Sequence, residues 1–267
     1  MKKLSLSMIY EADKLIKGWF LPTPIQYCHE LSMQHKVPFI LKCEQFHPCG
    51  SNDLRGAFYY LSLLPCEIKK LGIALCGEND KIIAMAYVAS LLNIPCHVYF
   101  KKKPSENIVQ KLLFYSAQLH IGDYDYIKKS TDDLNLHLIT NFNLPSFHAS
   151  LGGSLAVEIV KQIPQVKNVI VPLDRKELCY GLTFYLKKKF VDLVVVGVTS
   201  KKTALCPFVD YHVRASIQNG NSAAKWYEKA HGGIIDSRGA VSLGACLNGL
   251  IPKLEGPTCL IIPSRPI

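Results

Sequence analysis

Short apolar runs alternate with amphipathic stretches along most of the chain. The apolar runs predict buried strands over residues 37–41, 72–76, 96–100, 136–139, 169–172, 193–198 and 258–262. Apolar residues at helical spacing predict helices over residues 9–18, 26–35, 55–64, 82–92, 104–120 and 223–230. Strands that alternate with helices in this way are typical of parallel sheets joined by right-handed crossovers. The pattern therefore predicts an α/β protein with mostly parallel, twisted sheets flanked by helices.

The first strand leads into a polar stretch that ends in a helix. Residues 42–57 read KCEQFHPCGSNDLRGA, with glycine in the turn and the helix beginning near Arg55. A strand, a glycine-containing turn and a helix form the arrangement in which an α/β sheet presents a ligand to a helix N-terminus. The stretch is thus the first candidate for a binding site.

This stretch resembles the cofactor-lysine motif of the fold type II pyridoxal-phosphate (PLP) enzymes, the group of threonine dehydratase, serine racemase and tryptophan synthase β. The family pattern reads roughly K-x-E-x-x-x-P-x-G-S-F-K-x-R-G-A. The matching residues are Lys42, Glu44, Pro48, Gly50, Ser51, Arg55, Gly56 and Ala57. Further segments resemble family segments in the family's order, at residues 21–25, 150–159, 193–198 and 235–245.

The resemblance implies a shortened tryptophan synthase β-like fold with two lobes. A large α/β domain is expected from residues 1–70 and 140–267, and a small α/β domain from residues 71–139. The resemblance also implies PLP as the family's cofactor. In the family, a loop matching residues 78–81 holds the substrate carboxylate, and a serine matching Ser264 meets the pyridine nitrogen.

The chain departs from the family where the chemistry is done. Asp53 occupies the position of the lysine that forms the Schiff base with PLP and then moves the substrate's α-proton, and a carboxylate does not form an imine. The glycines that would surround the PLP phosphate are replaced by LDRKEL at residues 173–178. No residue is therefore predicted to be catalytic. The predicted ligand-binding candidates are Ser51, Asn52, Asp53, Asn79, Asp80, Lys81, Arg175, Lys176 and Ser264.

Three functions remain open at this point. The first is a catalytically degenerate family member that binds a small amino-acid-like or anionic ligand, or that partners an active paralogue or a second copy of itself. The second is an active lyase or racemase on serine or threonine, with Lys81 or Lys176 replacing the missing lysine. The third is a non-enzymatic interaction protein that uses a basic surface. The motif does not decide among these functions, because glycines and a charge at a helix start also serve structure alone.

Composition narrows the classes further. The 267 residues are 49% hydrophobic and 19% charged, as in folded globular proteins, and the net charge is +10. The lysines lie in clusters at predicted element ends without any nucleic-acid-binding motif, so nucleic acid is not the expected partner.

No apolar run reaches the roughly 18 residues of a membrane span, and the start lacks the features of a secretion signal, so a cytoplasmic protein is predicted. The ten cysteines form no C-x-x-C pair, which predicts reduced thiols and no metal site.

Overall fold

The computed structural model describes residues 3–201 and 206–266. The strands, in chain order, are β1 (Ile25–Tyr27), β2 (Phe39–Cys43), β3 (Ile73–Cys76), β4 (Cys96–Phe100), β5 (Gln118–Ile121), β6 (His137–Ile139), β7 (Asn168–Pro172), β8 (Val194–Thr199), β9 (Tyr211–Arg214) and β10 (Thr258–Ile262). The helices are α1 (Leu6–Lys17), α2 (His29–His35), α3 (Asp53–Ser62), α4 (Cys66–Leu71), α5 (Asp80–Leu91), α6 (Glu106–Phe114), α7 (Tyr124–Asp133), α8 (Pro145–Phe147), α9 (Ser154–Gln162), α10 (Lys176–Lys189), α11 (Ile217–His231) and α12 (Val241–Leu247).

The chain divides into two compact units. The first comprises Met1–Asn52 and Pro145–Pro266, and the second comprises Asp53–Leu144. The division places residues 53–70 in the second unit, whereas the sequence assigned them to the large domain. Within the described residues, no helix is both long enough and apolar enough to cross a membrane.

The first unit is built on a six-stranded sheet with the order β1-β2-β10-β7-β8-β9. Only β1 pairs antiparallel, with β2, and the other neighbours are parallel. Alternate residues of β10 enter two different hydrophobic clusters: Leu260 belongs to the cluster that includes Tyr227 of α11, whereas Ile261 belongs to the cluster that includes Leu182 of α10. Because successive side chains of a strand point to opposite faces, the sheet is covered by helices on both faces.

Two glycines allow α10 to pack directly on the backbone of the segment before α9. That segment, His148–Gly153, is a π-helical turn. A Cβ on Gly181 would lie 1.8 Å from the carbonyl oxygen of His148, and a Cβ on Gly152 would lie 2.0 Å from the carbonyl oxygen of Leu178. These glycines therefore serve helix packing, since any side chain would clash with backbone atoms.

The second unit is built on a four-stranded, fully parallel sheet with the order β5-β4-β3-β6. The loop after β3 leads into α5, whose alanine-rich sequence is buried along most of its length. On β4 and β5, the rings of His97 and His120 stack, and Nδ1 of His97 lies 3.0 Å from Nε2 of His120. The α/β class with mostly parallel sheets is thus confirmed.

Several predicted boundaries were wrong. Residues 25–27 were expected to lie near the start of a helix, but they form β1, the antiparallel edge of the first sheet. The helix predicted over 104–120 ends at Phe114, because Ser116 takes a positive φ of 58° and residues 118–121 then pair with β4. The turn expected near 122–126 is the start of α7, capped by Asp123. Strand β9 was not predicted, and the helix expected from residue 223 begins at Ile217.

Candidate functional site

Three neighbouring parallel strands of the first unit end at the same edge of the sheet. The order is β2, β10, β7, and each pair is in parallel register. The residues that follow their carboxyl ends include Asn52, Ser264 and Arg175, respectively. Ligands of open α/β sheets bind beyond the carboxyl ends of the strands. The topology therefore brings together candidates that lie up to 212 positions apart in sequence, the separation of Asn52 and Ser264 (264 minus 52).

Arg175 lies at the centre of this cluster. Its Nη2 donates to Oγ of Ser264 over 2.8 Å, and its Nη1 lies 3.4 Å from Oδ1 of Asn52, a long contact at the limit of a hydrogen bond. Ser264 and Asn52 are fully buried, and Arg175 is half-buried. We call Asn52, Arg175 and Ser264 the strand-end cluster. It places one cation among buried polar groups at the edge of the sheet.

The backbone around the cluster is held by pairing between the two strand extensions. Ser51 and Ser264 form an antiparallel bridge, and the amide of Asn52 donates to the carbonyl oxygen of Pro263 over 3.0 Å. Gly50 has a φ of +85°, and a Cβ at this position would lie 2.5 Å from Nε of Arg265. The positive φ favours glycine here, which explains one match to the family motif by backbone geometry.

One donor of the strand-end cluster is buried without a partner. Nδ2 of Asn52 makes no hydrogen bond to any described residue. A buried amide that lacks a partner costs roughly 1–3 kcal/mol, so such groups are uncommon in folded proteins. Next to a guanidinium, this donor is suited to an acceptor supplied by a ligand.

The charged neighbours of Arg175 in sequence point elsewhere. The carboxylate of Asp174 accepts hydrogen bonds from Thr199 and Ser200 at the end of β8, over 2.7 and 3.1 Å. Lys176 is exposed and begins α10. Of the predicted phosphate-loop candidates, only Arg175 therefore contacts the cluster.

The remaining predicted candidates belong to the second unit. Oδ1 of Asn79 accepts from the amides of Lys81 and Ile82 over 3.1 and 3.2 Å and caps α5, whose first residue is Asp80. Nζ of Lys81 lies 5.5 Å from the ring centroid of Phe142, a cation–π distance. Asp53 is buried at the first position of α3. The predicted loop around residues 78–81 thus has a clear structural role as a helix start.

A buried ionic network in the first unit was missed by the sequence reasoning. Nζ of Lys42 forms an ion pair with Glu158 and donates to the carbonyl oxygen of Thr23 over 2.7 Å. Glu44 accepts from Oγ1 of Thr23 over 2.5 Å, and its Oε1 lies 3.8 Å from Nζ of Lys42. All four residues lie in the segments that resemble the family, so the sequence contained a signal that could have indicated the network. The spacing along the chain did not reveal that three separate segments meet at Lys42.

The comparisons with known proteins agree on one family. A model of the family "Pyridoxal-phosphate dependent enzyme" matches residues 16–253. The L-threonine ammonia-lyase of Geobacter sulfurreducens is 22% identical over 223 residues, covering 81% of this chain and 54% of that protein. The catabolic L-threonine dehydratase TdcB of Escherichia coli K12 is 26% identical over 204 residues, covering 74% of this chain and 62% of that protein. The chain thus spans about half to three-fifths of the length of these relatives.

Solved structures show the same fold. The serine racemase of Dictyostelium discoideum superposes with a TM-score of 0.86 at 18% identity, covering 99% of each chain. The processed form of threonine deaminase isoform 2 from Solanum lycopersicum superposes with a TM-score of 0.84 at 16% identity, covering 100% of this chain and 92% of that one. The predicted fold type and the predicted family are therefore confirmed. With the family model matching most of its length, this chain belongs to the pyridoxal-phosphate dependent enzyme family, whose cofactor is PLP.

Proposed function

We propose that this chain is a catalytically degenerate member of its family that binds a small anionic ligand at the strand-end cluster. The observation that carries the proposal is the bond from Arg175 to Ser264. By the family resemblance, Ser264 is the serine that meets the coenzyme ring, and here its hydroxyl is bonded by a guanidinium from the former phosphate loop. A binding role without Schiff-base chemistry is consistent with Asp53 at the position of the lysine.

The residues of the chain do not fit covalently held PLP. The family lysine is an aspartate, and the run of glycines after β7 is replaced by side chains. The glycines that remain nearby, Gly152 and Gly181, are closely packed against backbone atoms, so they offer no open backbone to a phosphate.

The placement of Lys81, Lys176 and Lys42 does not favour any of these three lysines as a substitute. Lys176 is exposed, and Lys81 faces an aromatic ring in the second unit. Lys42 is fully buried, but its amine is held by Thr23 and Glu158. An amine engaged in these contacts is poorly placed to attack an aldehyde. An active lyase or racemase is therefore the less favoured alternative.

The ligand proposal follows from charge and hydrogen-bonding capacity. Arg175 supplies the positive charge, and Nδ2 of Asn52 supplies a buried donor. Carboxylate and phosphate groups accept bonds of this kind, and such charge-assisted bonds are roughly twice as strong as neutral ones. The expected ligand is a small carboxylate or phosphate compound, including an amino acid.

We further propose a reducing, cytoplasmic location, which the ten free thiols support.

The loss of Schiff-base chemistry is tested with PLP itself. The purified chain is incubated with PLP, reduced with borohydride and examined by absorbance and by intact-protein and peptide mass spectrometry. We expect that no lysine of the folded chain is modified to a greater extent than the same lysine in the chain unfolded in denaturant. Stoichiometric modification of a single lysine in the folded chain, or keto-acid release from millimolar serine or threonine, would overturn this part of the proposal.

The binding site is tested with a matched pair of variants. Arg175→Gln and Lys176→Gln each remove one positive charge from adjacent positions. Of the two residues, Arg175 belongs to the strand-end cluster and donates to Ser264, whereas Lys176 is exposed. Binding of inorganic phosphate, acetate and L-serine is measured by calorimetry and thermal shift. We expect Arg175→Gln to weaken binding by about 10- to 100-fold, the equivalent of one charged hydrogen bond, and Lys176→Gln to change it by less than about twofold. Equal effects of the two variants, or no binding of any probe to the unmodified chain, would refute the site.

A further inference from the structure

A cysteine and a glutamate near the start of the chain meet a histidine from a distant part of the sequence in the first unit. None of the three belongs to the strand-end cluster. Sγ of Cys28 lies 3.8 Å from Oε2 of Glu30 and 3.9 Å from Nε2 of His231. One ligand atom from each of the three residues lies within 4.8 Å of the others. Cys28 and Glu30 stand at the start of α2, and His231 is the last residue of α11.

We propose that Cys28, Glu30 and His231 bind a zinc ion that joins the start of α2 to the end of α11. Thiolate, imidazole and carboxylate are the ligand types of protein zinc sites, whereas Mg²⁺ and Ca²⁺ require oxygen ligands. Three protein ligands leave a fourth tetrahedral position for water or for a ligand from another molecule.

The distances are close to those of a formed site. Zinc–sulfur and zinc–nitrogen bonds of about 2.3 and 2.0 Å at a tetrahedral angle separate the sulfur and nitrogen atoms by about 3.5 Å. The distance from Sγ of Cys28 to Nε2 of His231 is 3.9 Å, so a movement of about 0.4 Å brings these two ligands to a zinc distance. Glu30 is exposed, and its Oε2 lies 3.8 Å from Sγ of Cys28. As the sulfur–zinc bond forms, the Cys28 thiol releases its proton to solvent.

A second layer of residues orients the histidine. Gln26 contacts Nδ1 of His231 over 2.9 Å, and the ring of Tyr227 packs at 4.9 Å from the imidazole. The hydroxyl of Tyr227 in turn lies 3.3 Å from Oε1 of Gln26. If the Gln26 amide is turned by 180°, its oxygen accepts from Nδ1–H and its nitrogen donates to Tyr227, which leaves Nε2 of His231 free for the metal. Histidine ligands of zinc are held in this way by a hydrogen bond on the other ring nitrogen.

Burial distinguishes a metal site from a reactive thiol. Cys28 is 0% exposed, so a bulky electrophile does not reach its sulfur. His231 is part-exposed and Glu30 is exposed, so a small ion reaches the space between them. The sequence predicted no metal site because its cysteines lack paired spacing, but Cys28 and His231 are 203 positions apart and only the fold brings them together.

The test uses the full chain with its thiols reduced and Zn²⁺ as the probe. Zinc binding is measured by competition with a chromogenic chelator, and Co²⁺ is substituted to detect the charge-transfer absorption of a thiolate–cobalt bond. We expect one ion per chain, a thiolate band with Co²⁺, and a rise in melting temperature with Zn²⁺ but not with Mg²⁺. The variants Cys28→Ser and His231→Gln should each weaken zinc binding by at least about 10- to 100-fold, the range caused by losing even an outer-layer partner.

Matched controls keep the result interpretable. Cys66→Ser and His212→Gln change exposed residues outside the cluster and should leave zinc affinity unchanged. Glu30→Gln changes an exposed side chain, so it should fold normally and still weaken binding, even if a variant of the buried Cys28 is unstable. Absence of stoichiometric binding at micromolar Zn²⁺, a cobalt spectrum without the thiolate band, or undiminished affinity of both Glu30→Gln and His231→Gln would overturn the proposal.

Discussion

The buried lysine of the first unit gives the sharpest test of how this fold is held together. Lys42 and Glu44 have fully buried side chains, and the side chain of Glu158 is 5% exposed. Replacing Lys42 by Met keeps most of the apolar stem but removes the ammonium that faces both carboxylates. We expect Lys42→Met to destabilise the first unit severely, because it removes the buried ammonium that pairs with Glu158 and lies 3.8 Å from Glu44.

The magnitude follows from the geometry. At the 3.8 Å that separates Lys42 from Glu44 and an effective dielectric constant of about 20, the gross attraction is about 4 kcal/mol. Desolvation offsets part of this attraction in the intact network, but removal of one partner from a buried pair typically costs 3–5 kcal/mol. We therefore expect a loss of about 3–5 kcal/mol in the free energy of unfolding and a drop in melting temperature on the order of 10 °C.

The assay is urea unfolding followed by tryptophan fluorescence. Both tryptophans, Trp19 and Trp226, belong to the first unit, so the signal reports on the unit that contains Lys42. Lys253→Met removes an exposed lysine of the same unit and serves as the control. The double variant Lys42→Met with Glu158→Gln should recover part of the loss, since it also neutralises the carboxylate that pairs with Lys42. If Lys42→Met lies within about 0.5 kcal/mol of Lys253→Met, the network does not stabilise this fold and the reasoning fails.

Three further predictions concern packing, pH and helix capping. Gly181→Ala should lower the free energy of unfolding by at least about 1–3 kcal/mol, because its Cβ would overlap a backbone oxygen. Gly18→Ala is the control and should change it little, because a Cβ there comes no closer than 3.4 Å to its neighbours. Urea unfolding of the two variants measures the difference. Burial lowers the pKa of both His97 and His120 from 6.5, so the unfolded chain binds more protons than the folded chain below that pH. Their contribution to stability should be fully present above about pH 6.5 and lost as the pH falls toward the folded pKa; if His120→Gln does not flatten the fall in melting temperature between neutral and mildly acidic pH, this assignment is wrong. Ser216→Ala should destabilise α11 by about 1 kcal/mol because it removes the hydroxyl that accepts from the amide of Asn219, and an unchanged melting temperature would contradict this.

The sequence by itself determined most of the strands and the family. The runs at residues 96–100 and 258–262 coincide with β4 and β10, because fully buried parallel strands require continuous apolar residues. The motif at residues 42–57 identified the family because its residue types and their spacing can be read along the chain, and Gly50 is required locally by its positive φ. At residues 118–121 the apolar spacing predicted the end of a helix, but the structure has strand β5. Pairing with β4 outweighs the local helical spacing there.

Only the tertiary structure decided which polar residues meet. Arg175 reaches Ser264 across 89 positions and Asn52 across 123, because parallel strands joined by crossovers place distant carboxyl ends side by side. The same holds for Lys42, which pairs with Glu158 116 positions away, and for Cys28 and His231. Spacing along the chain carries no record of such encounters, because they arise from the order of strands in the sheet and from the helices that cover its two faces.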